Sequence, residues 1–125
     1  MPTTKTILFV EDDPHIRDIL PEILPEREFN SIVATDAEEA LRILAEEHVD
    51  LVLTDVVIPG LDGIGLVTEV KRAHPDIPVI LMTGYISRAA QAHAAGTLLF
   101  KPVRPDEIET AIRAALGLGG PAPIR

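Results

Sequence analysis

Residues 7–14 read ILFVEDDP. Four apolar residues run without a polar interruption, and three carboxylates, Glu11, Asp12 and Asp13, follow at once. An unbroken apolar run bounded by such a signal suits a strand buried on both faces, as in a helix-covered parallel sheet. The acids mark where that strand leaves the core. At about 5 Å and an effective dielectric of ~20, two carboxylates repel by roughly 3 kcal/mol. Three of them at one strand mouth call for a compensating cation.

The pattern repeats outward from this stretch. Asp13 can cap a helix whose first position is Pro14, and Ile16, Ile19, Leu20, Ile23 and Leu24 have helical spacing over residues 15–24. Pro21 falls inside that helix and is expected to kink or shorten it, because it lacks an N–H and crowds the preceding turn. Residues 31–34 form a second short strand. Asp36 and Glu39 have the spacing of a capping box ahead of Ala40, Leu41, Ile43 and Leu44. Residues 51–54 make a third apolar strand, ended by Asp55. The loop VVIPGLDG then carries two turn signals, Pro59-Gly60 and Asp62-Gly63. A helix with Leu66, Val67 and Val70 runs to about His74-Pro75. Residues 78–82 make a fourth strand, with Pro78 at the tolerated first position. Residues 89–95 make a short helix, 98–100 a fifth strand, and 105–116 a last amphipathic helix with Ile108, Ile112 and Leu116 inward. The tail, 117–125, has no core-forming pattern and is expected to be flexible.

Five βα units result, with strands 1, 3 and 4 apolar on both faces. The expected fold class is α/β, a parallel sheet with helices on either side. The 125 residues suit one domain, over residues 1–116, and 46% hydrophobic content supports a packed core. No apolar run reaches membrane-spanning length, and the start lacks the pattern of a signal peptide. Cysteine is absent, which excludes disulfides and agrees with a cytoplasmic location. A net charge of −9 argues against direct nucleic-acid binding, which needs Lys and Arg to neutralise phosphates. The expected partner is a protein or a phosphorylated small molecule.

Ligands of an open α/β sheet bind beyond the carboxyl ends of its strands. Strand 1 ends there in Glu11, Asp12 and Asp13, strand 3 in Asp55, strand 4 in Thr83, and strand 5 in Lys101-Pro102. Oxygen ligands without Cys or clustered His select a hard cation, and Mg²⁺ (or Mn²⁺) suits carboxylates, waters and phosphate oxygens. Thr83 and Lys101 can hold phosphoryl oxygens. A carboxylate can itself be the nucleophile, giving an aspartyl phosphate, and central Asp55 is the candidate. The histidines, His15, His48, His74 and His93, share no ligand spacing. Gly60, Gly63 and Gly65 follow the wrong strand, with the wrong spacing, for a dinucleotide fingerprint.

The ordered set VEDD, LVLTDVVIPGLDG, VILMTG and FKP resembles the receiver domain of bacterial two-component response regulators, here of a stand-alone type, over roughly residues 4–116. The resemblance implies a flavodoxin-like sheet of order 2-1-3-4-5. It implies that Asp55 takes a phosphoryl group from the phosphohistidine of a sensor kinase or histidine phosphotransfer protein. It also implies that Glu11 and Asp12 form the acidic pair, with Asp12 the direct Mg²⁺ ligand, joined by Asp55 and the main-chain carbonyl of Val57. Thr83 and Lys101 then contact the phosphoryl oxygens, and Lys101-Pro102 is a cis peptide. The protein is then an acceptor switch for a downstream protein or onward phosphotransfer, with no enzyme turnover beyond its own slow dephosphorylation. Two departures stand out. The segment 84–97 is a few residues short, so its helix is stunted. Leu98 replaces the family's usual switch aromatic, and Tyr85, in Thr83-Gly84-Tyr85, is the candidate to take over part of that role.

Other functions fit less well. A phosphatase with an aspartyl nucleophile needs a second acid two residues further on, where this chain has Val57. A flavodoxin-like binding module needs a phosphate-cradling loop after strand 1, where EDDP would repel phosphate. A degenerate receiver serving only as an interaction surface would not keep every acceptor residue.

Overall fold

The computed structural model describes residues 4–58, 60, 62–84 and 97–118. Its elements are β1 (Lys5–Val10), α1 (Pro14–Ile23), β2 (Phe29–Ala34), α2 (Ala37–Glu46), β3 (Leu51–Asp55), α3 (Gly63–Ala73), β4 (Val79–Thr83), β5 (Thr97–Phe100) and α4 (Pro105–Ala115). The helix expected over 89–95, the candidate Tyr85 and the tail beyond 118 lie outside the described residues. All pairings are parallel, and the strand order is β2-β1-β3-β4-β5, as expected.

Alternation along each strand explains why consecutive apolar residues are needed. Ile7 and Phe9 of β1, Leu51 and Leu53 of β3, and Ile80 and Met82 of β4 pack with Leu20 of α1 and Ile108 and Ile112 of α4. Leu8, Val10, Val52 and Leu81 point the other way, onto Ala40, Ile43 and Leu44 of α2 and Leu66, Val67 and Val70 of α3. A period-2 strand between two helical layers buries both faces. Each fully buried aliphatic side chain contributes about 1.5–3 kcal/mol.

The helix starts are built locally. Asp13 accepts from the His15 N–H at 2.9 Å, with Pro14 in the first turn of α1. Asp36 accepts from the Glu39 N–H at 2.7 Å, but the return bond of the expected capping box shifts by one residue. Glu39 Oε1 takes the Thr35 N–H at 2.7 Å instead of that of Asp36. Asp36 has an extended backbone, so Glu39 secures the end of β2 as well as the start of α2.

Two further expectations are refined. β2 begins at Phe29 rather than 31, because Lys5 and Thr6 of β1 pair with Phe29 and Asn30. α1 continues past Pro21 to Ile23. Proline removes the N–H that would bond the Arg17 carbonyl, at a cost of about 3 kcal/mol, while buried Leu20 and Leu24 on either side hold the helix to the sheet.

Candidate functional site

Parallel register brings the strand ends into line. Val10 lies beside Ala34 and Thr54, Asp55 beside Met82, and Thr83 beside Phe100. The residues that follow open onto one cleft of about 600 Å³, lined by Glu11, Asp12, Asp13, Asp55, Val57 and Lys101 together with Pro14 and Gly84. Among the described residues, four carboxylates there face one ammonium, a balance that favours a cation.

Lys101 ties the site together. Its Nζ donates to Asp55 Oδ2 and reaches Glu11 Oε1 at 3.4 Å. The residue is delivered by the last ladder bond of β5, Lys101 N–H to the Thr83 carbonyl at 2.8 Å. Lys101–Pro102 is cis. Burial alone would lower the Lys101 pKa, but the hydrogen bond and charge of Asp55, with Glu11 behind it, outweigh burial and raise it.

Glu11 is only 1% exposed, far deeper than an ordinary surface acid. Burial pushes its pKa up and the charge of Asp55 adds to that rise, against the bonds from the Asp13 N–H and Lys101. Asp55, 7% exposed, takes the Val57 N–H on Oδ1 at 3.1 Å, so its two oxygens are held by different partners. Asp12 is exposed at the rim, and its carboxylate has no hydrogen bond or ion pair to a described residue. Asp13 is spent on capping α1, as its position suggested.

Thr83 differs from the others. It is fully buried at the end of β4 and is not among the residues lining the cleft, which its neighbour Gly84 reaches. Leu98 is half-buried and packs on the α2/α3 side of the sheet. Among the described residues, no three His, Asp or Glu side chains stand as a group that could hold a metal ion. Mg²⁺, which is held by one or two carboxylates and keeps several waters, does not need such a group.

Two features, one at the site and one remote from it, escaped sequence reasoning. Gly63 touches the main chain of Asp55; the Asp62-Gly63 dipeptide signalled a turn, and nothing local signalled that contact. Arg113, in α4, is nearly buried, bonds Glu28 and Glu109, and sits 5.2 Å from the Phe29 ring centroid. Its spacing from Glu109 was the one visible signal.

A doubly wound parallel sheet with an acidic cleft and a lysine at its carboxyl ends defines a class of phosphoryl-handling switch domains. The family model for the response regulator receiver domain matches residues 7–113. The chain belongs to that family. It is 36% identical over 120 residues to the transcriptional regulatory protein GlrR of Escherichia coli K12, covering 93% of this chain and 27% of that protein. It is 38% identical over 116 residues to the probable transcriptional regulator ycf27 of Cyanophora paradoxa, covering 90% and 48%. The chain thus spans between a quarter and a half of these curated relatives. Among solved structures, the signal receiver domain of an HD domain-containing protein from Pseudomonas fluorescens Pf-5 superposes with a TM-score of 0.85 at 30% identity, covering 94% of this chain and 90% of that one. No helix among the described residues is long and apolar enough to cross a membrane.

Proposed function

We propose that Asp55 is the phosphoacceptor of this receiver domain. One Asp55 carboxylate oxygen attacks the phosphorus of a phosphohistidine on a sensor kinase or histidine phosphotransfer protein. The P–N bond breaks, and the imidazole leaves and regains its proton. The observation that carries this reading is the single ammonium of Lys101, which bonds Asp55 and also reaches Glu11. That ammonium stands where charge gathers on the phosphoryl oxygens.

Asp12, Asp55 and the Val57 carbonyl would hold Mg²⁺ (or Mn²⁺), with Glu11 behind them. Among the described residues, the rim carboxylate of Asp12 has no partner and acids outnumber cations in the cleft, and both favour such an ion. The bound ion would neutralise charge on the acceptor and phosphoryl oxygens. Thr83 and Lys101 would take the phosphoryl oxygens of the product. Since Thr83 starts fully buried, engaging it requires movement at the end of β4. That movement would reshape the surface around β4 and β5 for a downstream protein or onward transfer, in the cytoplasm. The domain then acts as an acceptor whose aspartyl phosphate hydrolyses slowly, and not as an enzyme with turnover.

The test is labelling with acetyl phosphate and Mg²⁺, read by intact mass. The wild-type chain gains one phosphoryl group and Asp55→Asn gains none. Full labelling of Asp55→Asn would remove Asp55 from the role.

A further inference from the structure

We infer that Gly63 is a positioning residue for the acceptor: the absence of a side chain there lets the start of α3 rest on the Asp55–Val56 main chain and fixes how Asp55 and Val57 present their oxygens. The inference rests on the function proposed for Asp55. A Cβ built on Gly63 would stand 2.2 Å from the Asp55 carbonyl oxygen and 2.8 Å from Val56 Cα. Both atoms are main chain, so no side-chain rotation relieves the contact.

The contact closes a loop. The Gly63 N–H donates to the Val56 carbonyl at 2.7 Å, and Asp62 caps α3 by accepting from the Gly65 N–H at 2.8 Å. Val56 and Gly63 are thereby held together at the end of β3. Val57 lies within this loop, and its N–H holds Asp55 Oδ1. The other side of the contact cannot yield easily. Asp55 lies in register with Met82, Val56 donates to the Met82 carbonyl at 2.9 Å, and the buried Thr54 hydroxyl donates to the Asp55 carbonyl at 2.9 Å.

A methyl group at Gly63 must therefore move the helix start rather than the strand. The carbonyl oxygen and the new carbon must separate by about 0.8 Å, from 2.2 Å to the 3.0 Å that real Cβ atoms respect. The displacement opens the Gly63–Val56 bond and carries Val57 with it. Both acceptor geometry and the carbonyl offered to the cation then change, while the apolar faces of α3 still pack on the sheet.

The experiment compares Gly63→Ala with Ile112→Val, a core change in α4 remote from the cleft. Mg²⁺ affinity is measured by calorimetry under conditions where both variants are folded, and labelling by acetyl phosphate is timed at saturating Mg²⁺. Gly63→Ala is expected to bind Mg²⁺ at least about tenfold more weakly and to label on the order of 10²-fold more slowly. Ile112→Val, which only loosens packing, should keep the wild-type values. Wild-type affinity and rate in folded Gly63→Ala would overturn the inference. Should Gly63→Ala not fold, NMR of the wild-type chain decides. The Gly63 amide is expected to shift with the same Mg²⁺ dependence as that of Val57, and an unmoved Gly63 amide overturns the inference. A wild-type chain that neither binds Mg²⁺ nor labels would instead sink the proposed function.

Discussion

Replacing Lys101 by Met keeps an unbranched side chain and deletes the charge on which the cleft depends. Glu11 and Asp55 would then face each other, 1% and 7% exposed, without the Lys101 ammonium between them. At 3.4 Å and an effective dielectric of ~20, the Lys101–Glu11 attraction alone is roughly 5 kcal/mol before solvation is counted. Desolvating the ammonium costs several kcal/mol in return, and truncating one member of a buried pair has a net cost of about 3–5 kcal/mol. The Lys101 side chain is 26% exposed, so screening reduces this to roughly 2–3 kcal/mol at neutral pH. With an unfolding entropy of about 2.1 cal/mol/K per residue, a chain of 125 residues should lose about 10 °C in Tm.

The loss carries a pH signature. The Glu11 pKa is already raised in the fold, first by burial and then by Asp55, and removing Lys101 raises it further. The folded state then binds more protons than the unfolded one above the ordinary glutamate value of 4.5. Stability of the variant should therefore fall as pH rises from that value through the raised folded pKa. Thermal melts by circular dichroism, from acid to neutral pH in metal-free buffer, measure both effects. The gap from wild type should widen with pH. A Tm within about 3 °C of wild type at neutral pH, or a gap that does not change with pH, would refute this account of the cluster.

Mg²⁺ at a hundredfold excess over its Kd should stabilise the wild-type chain by about 2.7 kcal/mol, a rise of about 10 °C in Tm. Asp12→Asn should raise the metal-free Tm and abolish most of that rise; an undiminished Mg²⁺ shift removes Asp12 from the ligand set. Arg113→Ala loses bonds to Glu28 at 2.6 Å and Glu109 at 2.8 Å and the contact with Phe29, and should cost roughly 2–3 kcal/mol. Labelling of Asp55 in that variant, measured while folded, should be unchanged, because the cluster sits by the start of β2. Asp50 is opposed by burial, yet its bonds from the Thr6 N–H and His48 lower its pKa below 3.8. Its contribution is present above 3.8 and lost as pH falls through the lowered value. Acid titration of Asp50→Asn should show a shallower loss of stability than wild type, and identical curves would refute that role.

Much of the fold was legible because its rules are local. Consecutive apolar residues at 7–10 and 51–53 mean two buried faces in any sequence, and Asp13-Pro14 announces a helix start wherever it occurs. Strand edges were harder. Phe29 and Asn30 join β2 because Lys5 and Thr6 lie beside them, which no property of residues 29–30 states. Likewise, the bond from Thr35 to Glu39 was missed because the spacing of a capping box gives the reach of Glu39, while the backbone path around Asp36 decides which N–H it finds.

The sequence by itself determined the succession of strands and helices along the chain, the two buried faces of β1, β3 and β4, and the chemical identity of the groups at the strand ends. It did so because side-chain polarity and period are properties of the chain. Only the tertiary structure decided that Lys101 bonds Asp55 and reaches Glu11, that Thr83 is buried beside the cleft rather than lining it, and that the start of α3 rests on Asp55. Those relations join residues as many as 90 positions apart. Distance, depth and contact of that kind exist only once the sheet has brought its strands into register.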